Sequence, residues 1–216
     1  TKLEATFDNM KQVSCFGVGD GLINISVTGA TLPYSYAWVK DGQPFGSPTT
    51  QDLSGLVPGT YSVTITDGNG CLANLGPYVI SQPNEIISTT SYINHVTCNG
   101  MLNGAIGHNV SGGKPPYTYL WTNGRTEEDL ENLAAGSYTV TITDAIGCKL
   151  IKTFVVTQPN VLAINLTQIK NPSCAGSNSG SIGVDVVGGT QPYIYQWSSG
   201  DRSEDLLNKG SGTYEL

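Results

Sequence analysis

Charge is scarce in this sequence. Only 12% of its 216 residues carry it, and ten Lys and Arg face seventeen Asp and Glu, for a net charge of −7. Nucleic-acid backbones are held by clustered cations, so this balance excludes nucleic acid as the partner. Long apolar runs are also missing. None approaches the ~18 residues of a membrane-spanning helix, so no membrane insertion is expected. There is no Cys-x-x-Cys and the two His stand at unrelated places, which argues against a zinc centre. Helix signals are nearly absent, the best being "TEEDLENLA" at 126–134, which amounts to a turn or one short helical turn. No leader pattern and no initiating Met are visible, and the chain reads as a piece of a longer polypeptide.

What the sequence has in quantity is glycine (27 residues), tyrosine (11) and hydroxyl residues, the composition of short strands and frequent turns. It also repeats itself. Cys15, Cys98 and Cys174 open three similar stretches that run into "PYSYAW" (33–38), "PYTYLW" (116–121) and "PYIYQW" (192–197). Each Trp (Trp38, Trp121, Trp197) is followed by an Asp-Leu pair at Asp52, Asp129 and Asp205, then by Tyr61, Tyr138 and Tyr214. The first two copies close alike, with "PGTYSVTITDGNGC" at 58–71 and "AGSYTVTITDAIGC" at 135–148, then Gln-Pro at 82–83 and 158–159. The register slips only after Trp38, where "VKDGQPFGSPTT" carries an insertion in the first copy. A period of about 76 residues is too long for a solenoid unit and suits a small domain. The expected domains are 1–83, 84–159 and a truncated third at 160–216, which lacks about 19 residues including its second Cys and should be poorly ordered alone.

Within a copy the periodicity is that of strands. Tyr61, Val63 and Ile65 share one face against Ser62, Thr64 and Thr66; Tyr138, Val140 and Ile142 do the same, as do Ile23, Ile25 and Val27, and Ile182, Val184 and Val186. The Pro-Tyr-x-Tyr-x-Trp run is a further strand, entered from a Gly-rich turn. Others precede the first Cys ("LEATF", "IISTT", "LAINL") and follow the second. Six or seven short antiparallel strands per copy predict an all-β chain of tandem immunoglobulin-like sandwiches, elongated end to end. "LVPGTY" and "LAAGSY" resemble tyrosine corners, with Lys209 departing from the Leu pattern in the third copy. The structural core is assigned to Trp38, Trp121, Trp197, Tyr61, Tyr138 and Tyr214.

Paired Cys in a turn-rich β chain predict disulfides and an oxidising compartment. The candidates are Cys15, Cys71, Cys98 and Cys148, with Cys174 lacking a partner. Pairing within each copy is preferred. It meets a geometric objection: the two Cys lie at opposite ends of a sandwich ~25 Å long, and a disulfide needs Cα atoms within ~7 Å. A bond between neighbours, such as Cys15 to Cys148, is the alternative.

No catalytic constellation, cofactor motif or metal site emerges. His95 aligns with polar residues and should be exposed; His108 aligns with Ile25 and Val184 and should be a neutral, hydrogen-bonded inward residue, the other reading being a ligand or pH-sensitive group. "TDGNG" at 66–70 hints at calcium, but "TDAIG" in the second copy lacks the oxygens, so a tight turn is the better account. Tyr34, Tyr36, Tyr117 and Tyr119 could stack on a glycan, or simply fill the core and its rim.

Taken together, Cys, Asp/Asn-Gly, a β-run, Gly-Gly-x-x-Pro-Tyr-x-Tyr-x-Trp, Leu-x-x-Gly-x-Tyr-x-Val-x-Ile-x-Asp-x-x-Gly-Cys and Gln-Pro resemble the SprB-type repeat of gliding-motility cell-surface adhesins of the Bacteroidetes. The resemblance covers nearly the whole chain. It implies tandem domains of a very large protein, exported by type IX secretion to the cell surface, with no catalytic residues to transfer. The expected function is a non-enzymatic stalk that spaces a distal adhesive region from the cell. Its partners are neighbouring repeats and possible surface polysaccharide or other cell-surface proteins. The alternatives are a carbohydrate-binding array of a secreted polysaccharide-degrading protein, and an assembly module whose incomplete third domain accepts a strand.

Overall fold

A computed structural model describes residues 2–45 and 50–216; residues 46–49 of the insertion lie outside the described residues. The first repeat forms β1 (Glu4–Lys11), β2 (Gly21–Thr28), β3 (Ser35–Lys40), β4 (Gln43–Pro44), β5 (Leu53–Leu56), β6 (Gly59–Thr66) and β7 (Leu72–Ile80). The second forms β8 (Ile87–Asn94), β9 (Gly104–Ser111), β10 (Thr118–Trp121), β11 (Leu130–Leu133), β12 (Gly136–Thr143) and β13 (Lys149–Val156). The third forms β14 (Ala163–Lys170), β15 (Gly180–Val187) and β16 (Leu206–Lys209). The strand orders are β1-β2-β5 with β4-β3-β6-β7, then β11-β9-β8 with β10-β12-β13, and finally β14-β15-β16 alone. The chain is all-β, and its first two repeats are immunoglobulin-like sandwiches in tandem.

By its internal contacts the chain divides into two compact units. The first is Thr1–Thr89 with Asn109–Thr126 and Val140–Lys152; the second is Thr90–His108 with Glu127–Thr139 and Thr153–Leu216. The boundary therefore runs through the second repeat, and each unit holds one repeat-to-repeat joint.

Alternation decides the core. In β6, Tyr61, Val63 and Ile65 are buried while Ser62, Thr64 and Thr66 are only half so. They meet Ile23 and Ile25 from β2, Trp38 from β3, Leu53 and Leu56 from β5, and Ile80 from β7. Each such burial contributes about 1.5–3 kcal/mol. The second repeat buries the corresponding positions, among them Ile106, Trp121, Leu130, Leu133, Val140 and Ile142.

The corners form in all three repeats. The hydroxyl of Tyr61 donates to Val57 O at 2.8 Å, that of Tyr138 to Ala134 O at 3.0 Å, and that of Tyr214 to Gly210 O at 3.0 Å. Lys209 does not disturb this; its Nζ leaves the core and pairs with Asp201 Oδ2 at 2.6 Å. Tyr61 is wholly buried whereas Tyr138 and Tyr214 are half-buried. The insertion is the reason. Asp41 and Gly42, both at positive φ (51° and 78°), turn β3 back into β4, and Phe45 then packs edge-on against Tyr61 with ring centroids 5.3 Å apart.

The short strands β5, β11 and β16 follow the Asp-Leu pairs, and "TEEDLENLA" enters β11 through bends instead of a helical turn. Each short strand has a left-handed residue three positions after its Asp: Gly55 (φ 69°), Asn132 (57°) and Asn208 (56°), the residue types that tolerate that region. The preceding Asp replaces ladder bonds lost at the irregularity. Asp52, Asp129 and Asp205 each accept, through Oδ1, the backbone N–H of Ile25, His108 and Val184 at 3.0 Å.

Replacing Tyr61 by Phe removes one buried hydroxyl bond and leaves Val57 O unserved, so Y61F should lose about 1 kcal/mol in urea unfolding. An unchanged midpoint would show that the ring alone makes the corner.

Candidate functional site

The joint is built from four short segments, and in the first unit it can be followed completely. The turn after β1 closes through Val18 N donating to Cys15 O at 3.1 Å, and Asp20 Oδ1 accepts Ser14 N at 2.8 Å. Asp20 is itself held by Lys11 Nζ at 2.8 Å, and these contacts, the lysine's first, keep its carboxyl well below the usual range. Gly17 N then donates to Gln82 Oε1 at 3.0 Å, tying this turn to the Gln-Pro-Asn run that leaves the repeat. On the other side, Asn84 O accepts Gly113 N at 3.0 Å. The approach is too close for a side chain: a Cβ on Gly112 (φ 75°) would sit 1.7 Å from Glu85 O.

The fourth segment is the closing turn of the second repeat. Asp144 Oδ1 accepts Ile146 N at 3.0 Å and Cys148 N at 2.9 Å, and its Oδ2 accepts Lys114 N at 2.9 Å. Burial pushes this carboxyl up, but the surrounding N–H groups, led by Lys114 and Cys148, outweigh it and hold it below the usual range. The turn thereby presents Cys148, which is disulfide-bonded to Cys15 with Cα atoms 5.6 Å apart. The covalent link thus runs between repeats. The preferred pairing within a repeat is not the one formed: Cys71, Cys98 and Cys174 are free and exposed. The physical reason is the opposite-ends geometry. Cys15 follows β1, whereas Cys71 lies beyond the far end of β6, a strand that starts beside the Cys15 end.

The second unit contains three of the four segments of the same joint. Met101 N donates to Cys98 O at 3.1 Å, and Asn103 Oδ1 accepts Thr97 N at 3.2 Å in the role of Asp20. Gln158 Oε1 accepts Gly100 N at 2.9 Å, Asn160 O accepts Gly189 N at 2.9 Å, and a Cβ on Gly188 would lie 1.9 Å from Val161 O. His95 is exposed, as expected, and serves this joint: its Nδ1 accepts Thr157 N at 3.1 Å.

The remaining sequence candidates are structural in placement. Trp38 and Trp197 donate through Nε1 to Thr50 O (3.2 Å) and Ser203 O (2.9 Å), and all three Trp are buried. Tyr34, Tyr36, Tyr117 and Tyr119 are half-buried on the inward face. The hydroxyls of Tyr34, Tyr117 and Tyr193 donate to the carbonyls of Gly29, Gly112 and Gly188, and that of Tyr36 to Gln51 Oε1 at 3.2 Å. His108 is buried, its Nε2 2.9 Å from Glu128 O and its ring 5.5 Å from that of Phe154. In "TDGNG" the Asp67 Oδ1 accepts Asn69 N at 3.0 Å and Cys71 N at 2.7 Å, the bonds of a tight turn. The roles of Gln82, Asn84, Gly112 and Asp144 escaped sequence reasoning. Their recurrence in the repeat was the available signal.

The SprB repeat family matches residues 8–42, 90–126 and 166–202, together half of the chain, and each match spans a Cys turn and a Pro-Tyr-x-Tyr-x-Trp run. The chain is similar to the decoration protein of Escherichia phage T5, 40% identical over 50 residues, or 21% of this chain and 30% of that protein. It therefore spans less than a third of that relative's length. Among solved structures it is similar to the N-terminal eight Ig domains of Down Syndrome Cell Adhesion Molecule (14% identity, TM-score 0.49, 89% of this chain and 28% of that one). It is also similar to the fibronectin(III)-like modules of Clostridium thermocellum CbhA (15% identity, TM-score 0.30, 72% and 95%).

Because the folded state depresses Asp67 and Asp144, their contribution to stability is present above the unfolded carboxyl pKa of ~3.9 and is lost as pH falls through the lower folded values. Asp144→Asn should weaken the fold at neutral pH and flatten the loss of urea stability below about pH 4. A variant with the wild-type acid slope would remove Asp144 from this account.

Proposed function

The chain belongs to the SprB repeat family, and from that premise we propose that it is a non-enzymatic stalk segment of a large, repetitive cell-surface adhesin. It spaces a distal adhesive region from the cell. The observation that carries this reading is the Cys15–Cys148 bond, which joins repeat to repeat. Tension entering near the N-terminus reaches Cys15 after one strand, crosses the sulfur bridge and leaves through β13. The intervening residues, including both buried Trp and both Asp turns, are then outside the load path. A binding module gains nothing from such a link; a tether that must not lengthen does.

Sparse charge with an acidic balance keeps such a fibre soluble. Disulfides persist in oxidising surroundings, which agrees with a cell-surface location. In this reading the protein leaves the cell by type IX secretion and serves attachment or gliding, with surface polysaccharide or other surface proteins met by the distal region.

Single-molecule stretching tests the load path. With the bridge intact, the 133-residue separation between Cys15 and Cys148 is withheld, so complete unfolding should release roughly 450 Å less contour than after reduction. Equal contour lengths in both conditions would overturn the mechanical role.

A further inference from the structure

The third repeat is half a sandwich, and what is missing has a defined shape. Position for position, Leu162 corresponds to Leu3 and Ile86; those are 8% and 7% exposed, Leu162 57%. Ile164, which corresponds to Ser88, is 51% exposed where Ser88 is 9%. Among the described residues no strand pairs with Tyr193–Trp197, and a groove of about 520 Å³ opens between this run, Leu162, Ile164 and Val186. In the first repeat the equivalent edge, Ser35–Lys40, is covered by β6 in the register Val39↔Ser62, Trp38↔Val63, Tyr36↔Ile65. The third repeat has already begun that register. Ser198 N donates to Glu215 O at 2.8 Å and Glu215 N to Ser198 Oγ at 3.0 Å, the counterparts of Val39 and Ser62.

The same joint carries an open thiol. Cys98 is exposed and lines a groove of about 490 Å³ with Asn160, Val161, Leu162, Gly189 and Tyr193. Its turn reproduces that of Cys15, its Gln158 and Asn160 reproduce Gln82 and Asn84, and Gly189 stands where Gly113 does. In the first unit that arrangement ends in a disulfide to the closing turn of the next repeat.

We infer that Cys98 is the attachment point of a second inter-repeat disulfide. Its partner is the cysteine that closes the third repeat, on a strand and turn that extend Tyr214–Leu216 along the open edge with the pattern x-Ile-Thr-Asp-x-x-Gly-Cys. By the rule that Cys15–Cys148 sets, the first cysteine of a repeat bonds the second cysteine of the repeat that follows, and Cys71 and Cys174 are the positions that any preceding or following repeat would engage. Closure is a two-electron oxidation. Two thiols lose two protons and two electrons to an exchanging disulfide, which is reduced to its dithiol, and one S–S bond forms. The inference holds whether or not the parent protein is an adhesin.

The test lengthens the 216-residue chain at Leu216 with the sequence of residues 141–157, which places one new cysteine in the Cys148 position of the third repeat. Oxidation in a buffer of glutathione and glutathione disulfide is followed by non-reducing peptide mapping. The expected product is monomeric, with Cys98 joined to the appended cysteine at least tenfold more often than Cys71 or Cys174. Amide exchange at 193–197 should slow even in the Cys98→Ser variant, because strand pairing precedes the bond. Even labelling of the three thiols would overturn the inference. So would a linked dimer, which would assign the strand to a second copy, or a bond to Cys174, which would restore pairing within a repeat.

Discussion

Everything covalent in this chain follows from one separation. The two cysteines of a repeat sit on turns at opposite ends of the sandwich. Gly21, just after the first turn, pairs with Leu56, and β6 departs from that same end to reach Cys71. Eight residues of strand put about 25 Å between the ends, several times what a disulfide spans. A cysteine at each end is useless to its own repeat and well placed for its neighbours. Once Gln-Pro-Asn fixes the angle at which the next repeat docks, that repeat's closing turn is brought to the first turn of the one before. The joint must therefore be accurate, and it is set by backbone: Gly17 on Gln82, Asn84 on Gly113, and a glycine at 112 where any side chain would collide.

Polar side chains here act as substitutes for missing backbone partners. A short-stranded sandwich interrupts its ladders at every bulge and turn, and each interruption leaves an N–H or C=O near the core that is costly if unserved. One residue type is assigned to each break. The Asp of Asp-Leu serves β2, β9 or β15, the Asp of Thr-Asp serves the closing turn, the corner Tyr serves the carbonyl four residues back, and the Pro-Tyr hydroxyl serves a glycine carbonyl. This explains why these residues recur although none is catalytic. It also explains His108. A position that carries Ile25 in the first repeat can accept an imidazole because Glu128 O lies within bonding distance of Nε2.

The strands with clean alternation were legible in the sequence, and so were the corners, since both are local patterns. Tyr61, Val63 and Ile65 could be placed inward with no knowledge of what they meet. The short strands β5, β11 and β16 were not legible. Their four residues contain a left-handed Gly or Asn, which breaks the period-two rhythm by which strands are recognised. The choice between Cys15–Cys71 and Cys15–Cys148 was beyond local pattern too. Strand length could object to the first, but the second depends on the docking angle, which is held by main-chain bonds of residues far apart in sequence.

The third repeat separates what is local from what is not. Its Cys turn closes, Asp205 caps Val184, Tyr214 makes its corner, and Trp197 is buried with its Nε1 bonded, all without the closing strands. These features span at most some twenty residues and need only their own segment. Apolar closure of the sheet fails, because Leu162 and Ile164 can be covered only by strands that pair across the whole repeat. In a tandem array where stability is a sum of units and nearest-neighbour joints, this ordering has a consequence. The joint to the preceding repeat is made by residues 158–189, all upstream of the closing strands, so docking does not wait for completion of the fold. The closing turn arrives last, and the cysteine it carries can be offered only to a neighbour already in place. The disulfide then reports correct docking of two repeats, since a misdocked pair would leave both thiols exposed to exchange.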